Sequence, residues 1–337
     1  MSSIIILLSL LFSFTSSRPL PPSLPQFTWQ AFANLTGAKQ GDELSGIADL
    51  KHYLNRFGYL PGIAANFTDT FDNSLATAIS LYQSKLNLPI SGHLDEPTLT
   101  NLMSPRCGVS DTTTTRRKTF QYFPGEPRWS RSHPITLSYS LSPHNTINYI
   151  SKADIIASVS RAFDRWSRVI PITFIEENNY EEADVKLGFY RGDHGDGEPF
   201  DGVLGVLAHA FSPENGRLHL DAAERWSVNF ADEKSEVAVD LESVVTHEIG
   251  HVLGLAHSSE SDAVMFPSLS PRMMKRELRV DDVEGVQALY GSNPNFKMSS
   301  ILESDQDTSS SASSSSSLVR VRVWGFGVVF LLMVFVL

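Results

Sequence analysis

Residues 246–257 read Thr-His-Glu-Ile-Gly-His-Val-Leu-Gly-Leu-Ala-His, the pattern H-E-x-x-H-x-x-G-x-x-H, with His247, Glu248, His251, Gly254 and His257 in the specified places. On a helix, His247 and His251 lie one turn apart on the same face. Two imidazoles so placed can share one Zn²⁺. Gly254 enters left-handed backbone conformations at little cost, so the chain can turn there and bring His257 back as a third ligand. Three histidines leave a fourth coordination position for water, the arrangement of a catalytic rather than a structural zinc. Glu248, beside the first ligand, is placed to take that water's proton. A buried amphipathic helix with chance histidines explains His-x-x-x-His alone. It does not explain five specified positions in a chain with ten histidines.

The length of 337 residues allows one to three domains, and the net charge of −11 argues against nucleic acid as a partner. Ile4 to Phe14 is an apolar run followed by Thr15-Ser16-Ser17. Residues 1–17 are thus predicted to be a secretory signal peptide, although no Lys or Arg precedes the run. The run is too short to span a bilayer. A secreted chain whose one cysteine is Cys107 has no internal disulfide, so this thiol needs another role. The sequons at Asn34 and Asn66 are glycosylation candidates.

From about Ser45 to Met103 the apolar residues recur at helical spacing. Ile47, Leu50, Tyr53, Leu54 and Phe57 form one series, stopped by Gly58; Phe71, Leu75, Ala78, Ile79, Tyr82 and Leu86 form a second. Asp95 caps a third, short helix. The expected unit is a three-helix bundle, which resembles the peptidoglycan-binding-like fold found in protease prosegments. Pro105-Arg-Cys-Gly-Val-Ser-Asp111 follows. With the zinc motif, this heptapeptide resembles the cysteine switch of the matrix metalloproteinases (matrixins). Its usual form is P-R-C-G-V-P-D, so Ser110 departs from it while Arg106, Cys107 and Asp111 match. A thiolate is a strong zinc ligand, so Cys107 can fill the fourth position and hold an enzyme latent. Arg106 and Asp111 can pair to pin the loop. The Thr-rich link ending Arg116-Arg117-Lys118 is the expected site of an activating protease, with the cut between Arg117 and about Tyr122.

Residues 120–292 alternate strand-like and helix-like stretches, among them Ile135 to Leu141, Ser151 to Val169, Ile172 to Ile175, Val185 to Tyr190 and Val280 to Tyr290. The fold class expected is α+β: a metzincin-like catalytic domain, with a twisted mixed sheet and three helices, preceded by the helical prodomain. Residues 193–224 are rich in ligand types. Three histidines and an aspartate can close a structural zinc site, and clustered carboxylates suit Ca²⁺. The resemblance implies that His194, Asp196, His209 and His219 hold a second, structural zinc. It implies calcium at Asp201, Asp221 and Glu224, with carbonyls of Gly202, Leu204 and Val206. The family often has glycine where Leu204 stands, which leaves the turn open there. The loop between Phe211 and His219 is shorter than in many relatives, so a further calcium is not expected. Val203 to Ala210 is the expected exposed edge, on which an extended peptide can pair with the strand. Met265, in Val264-Met-Phe-Pro267, resembles the Met-turn beneath the ligands; Leu269 replaces a common tyrosine near the specificity pocket. The family also pairs an aspartate of the last helix with the freed N-terminus, here Asp281 or Asp282.

Residues 293–317 are a Ser-rich linker, and the tail 318–337 is apolar from Val323 to the end. Small residues, spacer and apolar tail match a glycosylphosphatidylinositol (GPI) attachment signal, with attachment at about Ser309 to Ser311. The alternative is a membrane span, disfavoured by its length and by Arg320 and Arg322. The expected arrangement lacks the hemopexin-like domain of many animal matrixins and is most similar to plant-type matrixins. The implied function is a zinc endopeptidase made as a latent zymogen, acting on extracellular proteins or peptides from the outer face of the plasma membrane. Two other readings stand beside it: a catalytically silent cell-wall-binding protein, and a metzincin hydrolase outside the matrixins.

Overall fold

The computed structural model describes residues 29–62, 67–112, 115–116, 120–299 and 301. The signal peptide, Asn66, Arg117 to Thr119 and the tail with Ser309 to Ser311 lie outside the described residues.

The N-terminal unit comprises α1 (Ile47–Arg56), α2 (Asn73–Lys85) and α3 (Glu96–Leu102). Asp72 and Asp95 accept the backbone N–H of Leu75 and Thr98, which satisfies otherwise orphaned donors at the starts of α2 and α3. The predicted helical series supplies the core, with Ile47, Leu50, Leu54, Leu75, Ile79 and Tyr82 buried. A 3-10 segment, Trp29–Leu35, completes it by burying Trp29, Phe32 and Leu35. Its three-residue apolar spacing was the available signal, but 3-10 periodicity is weak evidence over so few residues. Asn34 sits on this segment and is exposed.

Next come β1 (Arg106–Cys107), β2 (Thr115–Arg116), β3 (Gln121–Tyr122), β4 (Ile135–Leu141), α4 (Lys152–Val169), β5 (Ile172–Glu176) and β6 (Val185–Tyr190). They are followed by β7 (Val206–Ala210), β8 (Arg217–Asp221), β9 (Trp226–Ser227), β10 (Val239–Asp240), α5 (Leu241–Val252) and α6 (Val280–Tyr290). The main sheet has the order β1-β7-β8-β6-β4-β5. Only β7 and β8 pair antiparallel; the other neighbours run parallel. This is the expected α+β arrangement.

One expectation is corrected. The edge strand starts at Val206, not Val203, and it is not exposed: all of Val206–Ala210 is buried. The prodomain strand β1 lies along it, with Arg106 opposite Val206 and Cys107 opposite Ala208. On its other side this segment meets the stretch after the Met-turn, through Cys107 N–H to Pro267 O at 2.9 Å and Leu269 N–H to Pro105 O at 3.0 Å. An unpaired edge in the folded chain leaves backbone donors and acceptors open, and the nearest extended segment fills them.

Helix α5 carries the histidine pattern, and all twelve of its residues are buried. Its polar residues away from the histidine cluster are therefore paired inside the protein: Glu242 with Arg161 and Arg165, Ser243 with Asp240, and Thr246 with Glu242 O. Asp240 caps its start by accepting Ser243 N–H, and Trp166 of α4 donates its indole N–H to Thr246 O at 2.9 Å. Such supports make α5 a rigid platform for side chains that must hold one geometry.

Candidate active site

Helix α5 ends at Val252, and Gly254 has φ +105°, the left-handed region in which other residues are strained. A Cβ there would also lie 2.2 Å from Pro127 O. The turn returns His257 to the helix face. The His247 Nε2 to His251 Nε2 distance is 3.1 Å, and His251 Nε2 to His257 Nε2 is 3.2 Å. Each Nδ1 has an acceptor: Val264 O for His247 at 2.7 Å, Leu255 O for His251 at 2.8 Å, and Asp111 Oδ1 for His257 at 2.6 Å. These bonds place the ring proton on Nδ1 and turn three Nε2 lone pairs toward one point. Lone pairs so close repel unless a cation lies between them. A tetrahedral centre about 2.05 Å from each nitrogen separates them by about 3.3 Å, so the cluster fits zinc.

Cys107 Sγ joins the cluster, 3.4 Å from His251 Nε2, and all four ligand atoms lie within 4.8 Å of one another. Burial, and then the Glu248 charge, push this thiol well above its usual pKa. A divalent cation reverses that balance, because a coordinating thiol loses its proton. Glu248 is fully buried, and no group donates a hydrogen bond of normal geometry to either carboxylate oxygen. Burial pushes its carboxyl up to about 8, an effect the Cys107 thiol only partly offsets. Met265 packs directly under the cluster. A Cβ on Gly250 would meet its Sδ at 2.2 Å, so the glycine between the first two histidines makes room for the Met-turn. Asp282 holds that turn by accepting Val264 N–H at 2.9 Å and Met265 N–H at 3.0 Å.

The loop of residues 105–111 is tied to the helical N-terminal unit by a buried polar lattice. Arg106, fully buried, donates twice to Asp111 and stacks 3.8 Å over the Phe57 ring. Tyr59 O–H donates to the same Asp111 at 2.6 Å. Burial alone would raise the Asp111 carboxyl; Arg106 and His257 outweigh it and hold it well below the usual carboxylate range. Ser110, the departure from the usual heptapeptide, donates its hydroxyl to Phe57 O at 3.1 Å. A proline there has no such donor. Neither the Asp111–His257 contact nor the Tyr59 contact has a signal in sequence, because each joins segments far apart in the chain.

The second predicted cluster also assembles. Asp196 Oδ2 lies 2.8 Å from His209 Nε2, 2.8 Å from His219 Nδ1 and 2.9 Å from His194 Nε2. Burial first of all lowers His209 and His219 to about 4, so both stay neutral and keep lone pairs for a metal. The Tyr190 and Phe200 rings both stack with the His194 ring, each with its centroid 5.0 Å away.

The three carboxylates behave differently. Among the described residues they are not one of the groups whose ligand atoms converge within 4.8 Å. Asp201 takes Val206 N–H, Asp221 takes Gly202 N–H and Glu224 takes Leu204 N–H. Glu224 Oε2 is buried without a partner. Burial, reinforced by mutual repulsion, pushes Asp221 up to about 6 and Glu224 up to about 8. A nest of buried carboxylates with an orphaned oxygen suits a hard cation. Leu204 has φ 62°, so it adopts the left-handed conformation that glycine takes freely, and the turn keeps that shape. From the prodomain, Arg56 donates to Pro199 O at 3.0 Å and comes within 4.0 Å of Asp201 Oδ2.

Three convergent histidines beside an unpaired glutamate, over a methionine turn, define the zinc metallopeptidase class. The matrixin family model matches residues 128–291, and a peptidoglycan binding domain model matches residues 44–102. The chain is 53% identical over 287 residues to metalloendoproteinase 1-MMP of Arabidopsis thaliana, covering 82% of this chain and 78% of that protein. It is 53% identical over 268 residues to metalloendoproteinase 4-MMP of the same plant, covering 78% of this chain and 77% of that one. Matrix metalloproteinase-20 of Homo sapiens is 36% identical over 250 residues, 73% of this chain and 48% of that protein. The chain belongs to the matrixin family. It is a zinc metalloendopeptidase with a prodomain, and its cofactors are catalytic and structural zinc and calcium. The readings as a silent binding protein and as a hydrolase outside the matrixins are set aside.

Proposed function

We propose that the chain is a latent endopeptidase controlled by a cysteine switch. The observation that carries this is the convergence of Cys107 Sγ with three Nε2 atoms beside the unpaired Glu248. His247, His251 and His257 hold the catalytic zinc, with Cys107 as fourth ligand before activation. The zinc supplies a Lewis acid that polarises a carbonyl and lowers the pKa of water. Glu248 accepts a proton from the attacking water and delivers it to the leaving amine. The surroundings of Glu248 prepare it, since a buried carboxylate without donors is a stronger base than one in water. His194, Asp196, His209 and His219 hold the structural zinc; Asp201, Asp221 and Glu224 hold calcium.

Activation removes the prodomain by a cut N-terminal to Phe120. Phe120, Gln121 and Tyr122 are buried, and Tyr122 O–H donates to Gly285 O at 2.7 Å, so this stretch stays with the catalytic domain. Asp281 or Asp282 pairs with the new N-terminus; in the uncut chain Asp282 accepts Val264 and Met265 N–H, and Asp281 accepts Ser258 O–H at 2.6 Å. The extended peptide substrate then takes the place of Arg106–Cys107 beside β7. The substrates are extracellular proteins, met after secretion guided by residues 1–17, with a lipid anchor added near Ser309 to Ser311.

The test is incubation of the activated protein with a peptide library, with and without a zinc chelator. Chelator-sensitive cleavage and an N-terminus between residues 117 and 120 are expected; an active form retaining Cys107 sinks the switch. Release from cells by a phosphatidylinositol-specific phospholipase checks the anchor, and retention favours a span.

A further inference from the structure

The last four carbonyls of an α-helix have no partner within the helix. At the end of α5, three of them find backbone donors in the turn that follows. Ile249 O takes Leu253 N–H, Gly250 O takes Leu255 N–H and His251 O takes Gly254 N–H, each at 2.9 Å. The fourth, Val252 O, accepts the indole N–H of Trp129 at 2.9 Å. One residue on, Leu253 O accepts the Tyr290 hydroxyl at 2.8 Å. The same hydroxyl oxygen accepts the backbone N–H of Trp129 at 3.1 Å. Trp129, ahead of β4, and Tyr290, at the end of α6, thus form one clamp on the turn. Leu253 and Leu255 are fully buried, so a carbonyl released here meets little water. Burial also pushes the Tyr290 hydroxyl up, so it keeps its proton and stays a donor.

Gly254 permits the left-handed turn but does not enforce it, because a residue without a Cβ has the widest choice of backbone angles. Another group has to fix the turn. We infer that Tyr290, with Trp129, is a positioning residue for the catalytic metal: its hydroxyl fixes the Leu253–Gly254 peptide, so that the turn presents His251 and His257 in one geometry. The inference rests on the assignment of His247, His251 and His257 to the catalytic zinc. Two residues beyond Leu253, Leu255 O accepts His251 Nδ1–H at 2.8 Å, the bond that turns Nε2 toward the other two rings. Ala256 N–H is then held by Gln121 O at 2.9 Å, and His257 follows. Without the hydroxyl, Leu253 O is a buried acceptor that has lost its donor, and the peptide is free to rotate at the glycine. Neither clamp residue lies on β7 or in the stretch after the Met-turn, so the flanks of the proposed substrate position stay as they are.

The experiment uses the full uncut chain with cobalt exchanged for zinc and calcium present. Cys107 is the one cysteine of the chain, so thiolate-to-cobalt charge-transfer absorption reports this centre and not the cluster around Asp196. A chelator is added and the decay of that absorption is timed. Tyr290→Phe, which removes only the hydroxyl, is expected to lose the band about tenfold faster or more. Tyr149→Phe is the control, because its hydroxyl likewise donates to a carbonyl, Glu224 O, and accepts a backbone N–H, that of Trp226. It is expected to keep the unsubstituted rate. After activation, Tyr290→Phe is expected to lower kcat for peptide cleavage about tenfold while KM stays within about twofold. An unchanged decay rate in Tyr290→Phe, or equal acceleration by Tyr149→Phe, overturns the inference, since the hydroxyl then has no effect or only a general one on stability. Absence of the band in the unsubstituted chain overturns the Cys107 reading instead, and the kcat comparison then decides the inference by itself.

Discussion

Asp111 Oδ1 lies 2.6 Å from His257 Nδ1, and the same carboxylate accepts two hydrogen bonds from Arg106 Nη2, at 2.7 and 2.8 Å. The Asp111 side chain thus joins the buried Arg106 cation to the ring of a proposed zinc ligand. Asp111→Asn leaves the Arg106 charge buried without its partner, a loss of about 3–5 kcal/mol where such pairs are broken. The expected outcome is an uncut chain that cleaves a fluorogenic peptide, where the unsubstituted uncut chain does not. Equal latency in both proteins would show that the Cys107 ligand alone holds the prodomain down.

Glu248 is fully buried, no donor of normal hydrogen-bond geometry reaches its carboxylate, and the Cys107 thiol is the side chain that acts on it. Glu248→Gln keeps the volume and removes the base. Peptide cleavage by the activated protein is expected to fall by about 10²–10⁴, with zinc content by atomic absorption unchanged. Lost zinc, or retained activity, contradicts the assignment.

Gly254 is needed for two separate reasons, its φ of +105° and the approach of Pro127 O to within 2.2 Å of any Cβ. Gly254→Ala must strain the turn or move the backbone of Pro127, and either displaces His257. A destabilisation of about 2–4 kcal/mol is expected from strain and overpacking together, with reduced zinc stoichiometry. Denaturant titration and metal analysis on the same sample check both.

Arg56 places a charge 4.0 Å from Asp201 in the carboxylate nest proposed for calcium. Calcium and Arg56 then compete for the same carboxylate field, and the antagonism is reciprocal by linkage. Arg56→Gln is expected to tighten calcium binding to the uncut chain about fivefold by calorimetry, a screened interaction at partial exposure. Glu224→Gln, which replaces the orphaned carboxylate, is expected to abolish the heat altogether. If Glu224→Gln binds normally, the nest is not the site; if only Arg56→Gln is silent, the competition is absent.

The catalytic cluster was legible because its parts are close in sequence and obey helix geometry. His247 and His251 follow from the 3.6-residue period, and Gly254 marks where that period must end. The histidines and aspartate between His194 and His219 were legible as a set from ligand chemistry and resemblance. Their convergence depended on β7 and β8 pairing antiparallel so that His209 stands opposite His219. The turn at Leu204 stays open in the sequence because the resembled family often has glycine at that position. The surrounding turn overrides the local preference of leucine, holding its N–H on Glu224 Oε1 at 2.7 Å.

By itself, the amino-acid sequence determined the chemistry: which side chains can bind zinc, which carboxylate can act as base, and which thiol can block the site. These are properties of residue type at short spacing, and local backbone geometry carries them. Only the tertiary structure decided what those groups meet. The edge strand expected to be open is covered by Arg106–Cys107, and Asp111 crosses 146 positions in the chain to reach His257. Such contacts arise when separately folded segments pack to bury apolar surface and pair their polar groups, and no local period in the chain encodes them.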